Sequence, residues 1–123
     1  MEGLEIFSYE GSGYNATMHF DTWRVAFLNF AERFDVIDKL ERHMLTDEVF
    51  VLLQGKAALL IGEKAQVVPM EPGKIYNVKQ GEWHNVKVTP DAKLLIVENH
   101  DTGKDNSEYM PIDTAIAAAI KLD

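Results

Sequence analysis

An all-β barrel or sandwich with a short C-terminal helix is the fold class this sequence predicts, and three observations predict it. Short runs rich in apolar, β-branched and aromatic residues follow one another from Trp23 to Glu98. Turn-forming pairs, Gly62-Glu63, Pro72-Gly73, Gln80-Gly81 and Pro90-Asp91, split them every 8 to 10 residues, which leaves no room for crossover helices. Helical periodicity is confined to the end of the chain, where Ile112, Ile116 and Ile120 recur every four residues among alanines.

The elements follow in order. Residues 10–13 (EGSG) read as a loop. Residues 23–31 (WRVAFLNFA) form the first predicted strand and 36–43 (VIDKLERH) the second, after the turn-like Arg33-Phe34-Asp35. Residues 48–54 (EVFVLLQ) are apolar on both parities and end at Gly55, which predicts a strand covered on both faces. Short strands are expected at 57–61, 66–70, 75–79, 83–88 and 93–98. Residues 101–108 (DTGKDNSE) read as a solvated connection, with closure over the barrel mouth as the alternative. Asp113, after Pro111, is a suitable N-cap for a helix over 113–122 that packs on the barrel exterior.

Composition narrows the function classes. The chain has 123 residues, the length of one domain, with 46% hydrophobic and 26% charged residues, and no apolar run approaches the ~20 residues of a membrane helix. Acidic residues outnumber basic ones 20 to 12 and no Lys/Arg stripe forms, so neither a nucleic-acid partner nor a membrane partner is expected. Cysteine is absent, which excludes disulfides and thiolate ligands, and MEGLEIFSYE lacks the basic and apolar regions of a secretory signal. A cytoplasmic location is the expectation.

Two clusters carry chemistry. In residues 41–55 (ERHMLTDEVFVLLQG), Glu41 and His43 are two apart and share one strand face, and a turn over 44–47 can bring Glu48 across from them. In residues 72–86 (PGKIYNVKQGEWHNV), His84 supplies a second imidazole from a distant strand. Each histidine alone is more simply a core residue satisfied by one hydrogen bond. Their joint register with Glu48 favours a shared site. His19 and His100 fall outside both clusters and are expected on the surface.

These clusters resemble the two motifs of the cupin superfamily, G-x5-H-x-H-x3,4-E-x6-G and G-x5-P-x-G-x2-H-x3-N. The second histidine, the glutamate and the closing glycine of the first motif match His43, Glu48 and Gly55; the glycines and histidine of the second match Gly73, Gly81 and His84. Seventeen residues separate Gly55 from Gly73, a compact intermotif region. The resemblance covers about Val36 to Glu98. The sequence departs from the motifs at Asp35 (glycine), Glu41 (the first histidine), Lys79 (proline) and Val88 (asparagine).

The resemblance implies one double-stranded β-helix, the cupin jelly-roll barrel, over residues 1–123. It implies metal ligands His43, Glu48 and His84, with Glu41 as a carboxylate in place of imidazole. Two imidazoles and two carboxylates suit a divalent transition metal, Zn, Fe, Mn or Ni, and two carboxylates neutralise a dication. Without metal, Glu41 and Glu48 crowded against imidazoles suit general acid–base work. Phe50, Tyr76 and Trp83 are candidates to line a ligand pocket, although aromatic residues in a small barrel are commonly core. The expected function is a metal-dependent enzyme acting on a small polar metabolite, a carbohydrate or organic acid derivative. The alternatives are a non-catalytic small-molecule-binding barrel and a protein with a vestigial site. Cupins commonly pair through N-terminal strands, so a homodimer through the WRVAFLNF face is expected.

Overall fold

The structure, a computed structural model, describes residues 2–122. Among these residues are ten strands: β1 (Tyr14–Phe20), β2 (Trp23–Asn29), β3 (Lys39–His43), β4 (Glu48–Gln54), β5 (Ala57–Ile61), β6 (Gln66–Pro69), β7 (Tyr76–Val78), β8 (His84–Val88), β9 (Lys93–Asn99) and β10 (Ser107–Pro111). One helical turn, α1 (Ala115–Ala118), follows them. Two five-stranded antiparallel sheets form, ordered β1-β2-β9-β4-β7 and β10-β3-β8-β5-β6. No described helix is long and apolar enough to cross a membrane.

Strand alternation explains the core. On β4, Glu48, Phe50 and Leu52 point inward and are buried; on β9, Leu94, Ile96 and Glu98 do the same. They meet Leu59, Val86 and Val88 of the second sheet, so one apolar layer fills the space between the sheets. A second cluster, Ile37, Leu40, Leu60, Ala65 and Ala117, lies where α1 covers the outer face of the second sheet.

Four expectations are corrected. The strand covered on both faces is β5, whose Leu59 and Leu60 are both buried; on β4, outward Val49 and Val51 are only half-buried and Leu53 is 48% exposed. β1 was not expected, and it pairs with β2 along its length, so both edges of β2 are occupied by β1 and β9. The connection after β9 is shorter than residues 101–108, because Ser107 already pairs with His43 at the start of β10. The helix expected over 113–122 is only Ala115–Ala118. Its start is delayed because β10 runs through Pro111 and the Ile112 N–H still donates to the Asp38 carbonyl. Beyond α1, Lys87 Nζ donates to the Ala117 and Ile120 carbonyls at 2.8 and 2.9 Å, so a β8 side chain satisfies the end of the turn.

Candidate metal centre

The turn after β3 determines where Glu48 points. Asp47 accepts hydrogen bonds from Asn77 Nδ2 at 3.0 Å and from the Gln80 N–H at 2.8 Å, and the Gly81 N–H donates to the His43 carbonyl. These bonds fasten the 44–47 turn to the turn that precedes β8. Glu41 of β3 lies directly opposite His84 of β8. Glu48 reaches the same space from the opposing sheet, as the first inward residue of β4.

The result is a cluster of Glu41, His43, Glu48 and His84 whose nearest donor atoms all lie within 4.8 Å of one another. Glu48 Oε1 is 2.8 Å from His84 Nε2 and 3.0 Å from His43 Nε2, while Glu41 Oε1 is 4.0 and 3.8 Å from the same two nitrogens. His43, Glu48 and His84 are buried; the Glu41 side chain is 36% exposed.

The second ring nitrogens fix the imidazole orientations. His84 Nδ1 is 3.0 Å from the Glu82 carbonyl, which can only accept, so Nδ1 carries the proton in the neutral ring. His43 Nδ1 is 2.8 Å from Ser107 Oγ. Both rings therefore direct Nε2 at one point. Such support through the other ring nitrogen is the usual setting of a metal-binding imidazole. Two ligands about 2.1 Å from a common ion at tetrahedral angles stand roughly 3.4 Å apart, and the four separations bracket that spacing. By donor type and spacing, the residues fit a divalent transition metal.

Electrostatics bind the cluster together. Burial pushes the Glu48 carboxyl up, but the hydrogen bonds and charges of His43 and His84 outweigh it and hold the group down to about 2. Burial lowers both imidazoles, yet the Glu48 hydrogen bond and charge prevail and raise them above their ordinary value.

A cavity of about 550 Å³ opens beside this cluster. Glu41, His43, His84 and Phe50 line it, together with Leu28, Phe34 and Ile96 and with Thr102, Gly103 and Ser107 from the connection after β9 and the start of β10. That connection therefore borders the cavity. Tyr76 and Trp83 do not line it. Tyr76 packs on the core and its hydroxyl accepts from the Glu71 N–H, while Trp83 packs on the outer cluster beneath the Arg42 guanidinium, 4.4 Å from the ring centroid. His19 and His100 are exposed, with their rings stacked at 3.7 Å.

Among the lining residues that the sequence did not single out, Tyr14, Arg24 and Glu98 form a linked polar group. Arg24 Nη2 lies 3.0 Å from Glu98 Oε2, and the Tyr14 hydroxyl donates to the same oxygen. Burial, and then the Glu48 charge, raise the Glu98 carboxyl. The available signal was parity: Glu98 shares the inward face of Leu94 and Ile96 on an otherwise apolar strand.

No family model matches the sequence, and no curated protein matches it. Solved structures do resemble it. A cupin-2 domain protein from Shewanella frigidimarina superposes with a TM-score of 0.59 at 16% identity, over 75% of this chain and 85% of that one. Streptomyces Pac13 carrying uridine gives 0.64 at 7% identity, over 88% and 87%; Pac13 is described as a nucleoside dehydratase. KdgF from a Halomonas species gives 0.56 at 14% identity, over 75% and 81%. At such identities the likeness speaks to architecture, and with the two facing antiparallel sheets it shows that the chain has the cupin fold.

Proposed function

We propose that residues 1–123 form one cupin domain, a metal-dependent enzyme acting on a small polar metabolite, a carbohydrate or organic acid derivative, at the barrel centre. One observation carries the reading: two imidazoles and two carboxylates from three strands converge within 4.8 Å beside a cavity of about 550 Å³. Zn, Fe, Mn or Ni suits that donor set, and a bound ion would polarise a substrate oxygen or lower the pKa of bound water. His43, Glu48, His84 and Glu41 would hold it. Glu41, half-buried and lining the cavity, is placed to take or give a substrate proton; Glu48, between the two imidazoles, keeps them oriented. Phe50, edge-on to His84 at 5.9 Å, supplies an apolar wall. The similar structure with bound uridine supports a hydroxylated substrate.

The test is elemental analysis of protein purified without chelator, in wild type, His43→Ala and His84→Ala. Near-stoichiometric transition metal in the wild type, lost in both variants while the far-UV spectrum persists, is expected. A wild type that holds only trace metal and takes up no added Zn(II) or Co(II) refutes the reading. We further propose a cytoplasmic homodimer joined through the WRVAFLNF face of β2, where Trp23 is 41% accessible. A single-chain mass in light scattering would refute the dimer.

A further inference from the structure

The carboxylate of Glu98 is fixed in an unusual way. All its protein donors converge on Oε2: the Tyr14 hydroxyl, Arg24 Nη2 at 3.0 Å and Arg24 Nε at 3.4 Å. Oε1 is buried and meets no protein donor among the described residues. The residue is only 5% exposed, so bulk water does little to solvate that oxygen, and an unsatisfied buried carboxylate oxygen is strongly unfavourable. Proteins pair such atoms with a protein donor or an ordered water, or leave them for a ligand where they line a cavity large enough to admit one.

Position decides between these. Glu98 lines the same cavity as Glu41, His43 and His84. β4 and β9 pair Val49 with Val97 and Phe50 with Ile96; continuing that register by one residue sets Glu98 beside Glu48 on the inner face. The orphan acceptor therefore belongs to the lining of the barrel centre, on the sheet that carries Glu48.

We propose that Glu98 Oε1 is a ligand-anchoring acceptor that takes a hydroxyl group of an uncharged, hydroxylated ligand, whose other end lies at the Glu41, His43 and His84 cluster. The chemistry selects the class. A carboxylate oxygen can only accept, so the ligand must bring a donor. Arg24 cannot turn the pole into an anion clamp, because four of its five N–H donors are committed to Glu98 and to the His100 and Thr102 carbonyls. An anionic group there would face the Glu98 charge. Leu28, Phe50 and Ile96 line the cavity as well and suit the C–H faces of a polyol ring. The inference deepens the proposed function and rests on its reading of the barrel centre as a small-molecule site, but on different residues from the metal ligands.

Glu98→Gln tests it, because the amide oxygen can replace Oε2 under Arg24 and Tyr14, which puts an NH2 donor where Oε1 stands. D-ribose and its carboxylate counterpart D-ribonate serve as probes, titrated by saturation-transfer NMR into zinc-treated and chelated protein. Wild type is expected to bind ribose in preference to ribonate. Glu98→Gln is expected to lose about tenfold or more in ribose affinity and to shift its preference toward ribonate. A general loss of structure would weaken both sugars alike and would not reverse their order. Ribose binding that is absent in wild type, or equal in the variant, overturns the proposal. Metal content reads the other reading separately: Glu98→Gln should hold as much metal as wild type, and a loss would make Glu98 a ligand and overturn its anchoring role. Ribose binding that depends on Glu98 in a protein without metal would refute the metal-dependent function alone.

Discussion

Replacing Glu48 by glutamine should invert the titration of both imidazoles it joins. In the wild type His43 and His84 stand above their ordinary 6.5 because the Glu48 hydrogen bond and charge outweigh burial, which acts in the opposite direction. An amide carries no charge, so burial then prevails and both rings should titrate below 6.5. The sign of the stability change follows. Imidazoles with raised pKa stabilise the fold below 6.5, and that contribution is lost as pH rises through their folded values. Glu48, ordinarily 4.5 and held down to about 2, stabilises above 4.5, and its contribution is lost as pH falls toward 2. Both contributions are present together between 4.5 and 6.5. Hydrogen bonds between charged partners contribute about 1.5–3 kcal/mol each. Two such bonds, at 2.8 and 3.0 Å, converge here, so Glu48→Gln should cost roughly 3–6 kcal/mol near pH 5.5, and only ~1 kcal/mol near pH 9, where the rings are neutral. Guanidinium unfolding of chelator-treated protein at the two pH values, with imidazole 15N shifts followed through the titration, measures both effects. Equal losses at the two pH values, or rings that still titrate above 6.5 in the variant, would refute the reasoning.

Further outcomes are expected. Arg24→Met leaves buried Glu98 with only the Tyr14 hydroxyl and should cost about 3–5 kcal/mol in denaturant unfolding, far more than a surface charge. Gly55→Ala should cost roughly 2–4 kcal/mol, because φ is +73° and a Cβ would stand 2.6 Å from the Ala92 Cα; a neutral result would show that the β4–β5 turn relaxes freely. Leu94→Ala, a fully buried residue on the central strand β9, should cost ~2–5 kcal/mol with no change in metal content. Zinc affinity measured by calorimetry should rise steeply from pH 5.5 to 7.5, with protons released to buffer, since both imidazoles must deprotonate to bind; a flat profile would exclude them as ligands.

The middle of the fold is legible in the sequence because each strand there carries inward apolar residues and ends at a strong turn signal. β1 was hidden by Asn15, Thr17 and His19, polar side chains on an edge strand whose neighbour supplies the packing. β10 was hidden because Ser107-Glu108 reads as loop and only pairing with β3 makes it a strand. The isoleucine period after Pro111 overstated the helix, since Ile112 is bound to Asp38 through its backbone before any helical turn begins. At the site, two-residue spacing and motif register pointed to Glu41, His43, Glu48 and His84. Phe50 follows Glu48 on the inner face, whereas Tyr76 and Trp83 are directed elsewhere by contacts no local pattern encodes. Glu98 and Arg24 meet through cross-strand pairing 74 residues apart, a relation invisible without the sheet order.

Glu48 hangs from one sheet, while Glu41, His43 and His84 hang from the other. Farther along, Leu52, Leu94 and Val88 lock the same two plates at a fixed gap. Whatever sits among the four donors is thus gripped like an object in a hinged press, and its hold is inseparable from the width of the opening. Any strain that pries the rims apart should expel it, and loading it should slow amide exchange on β3, β4 and β8 together.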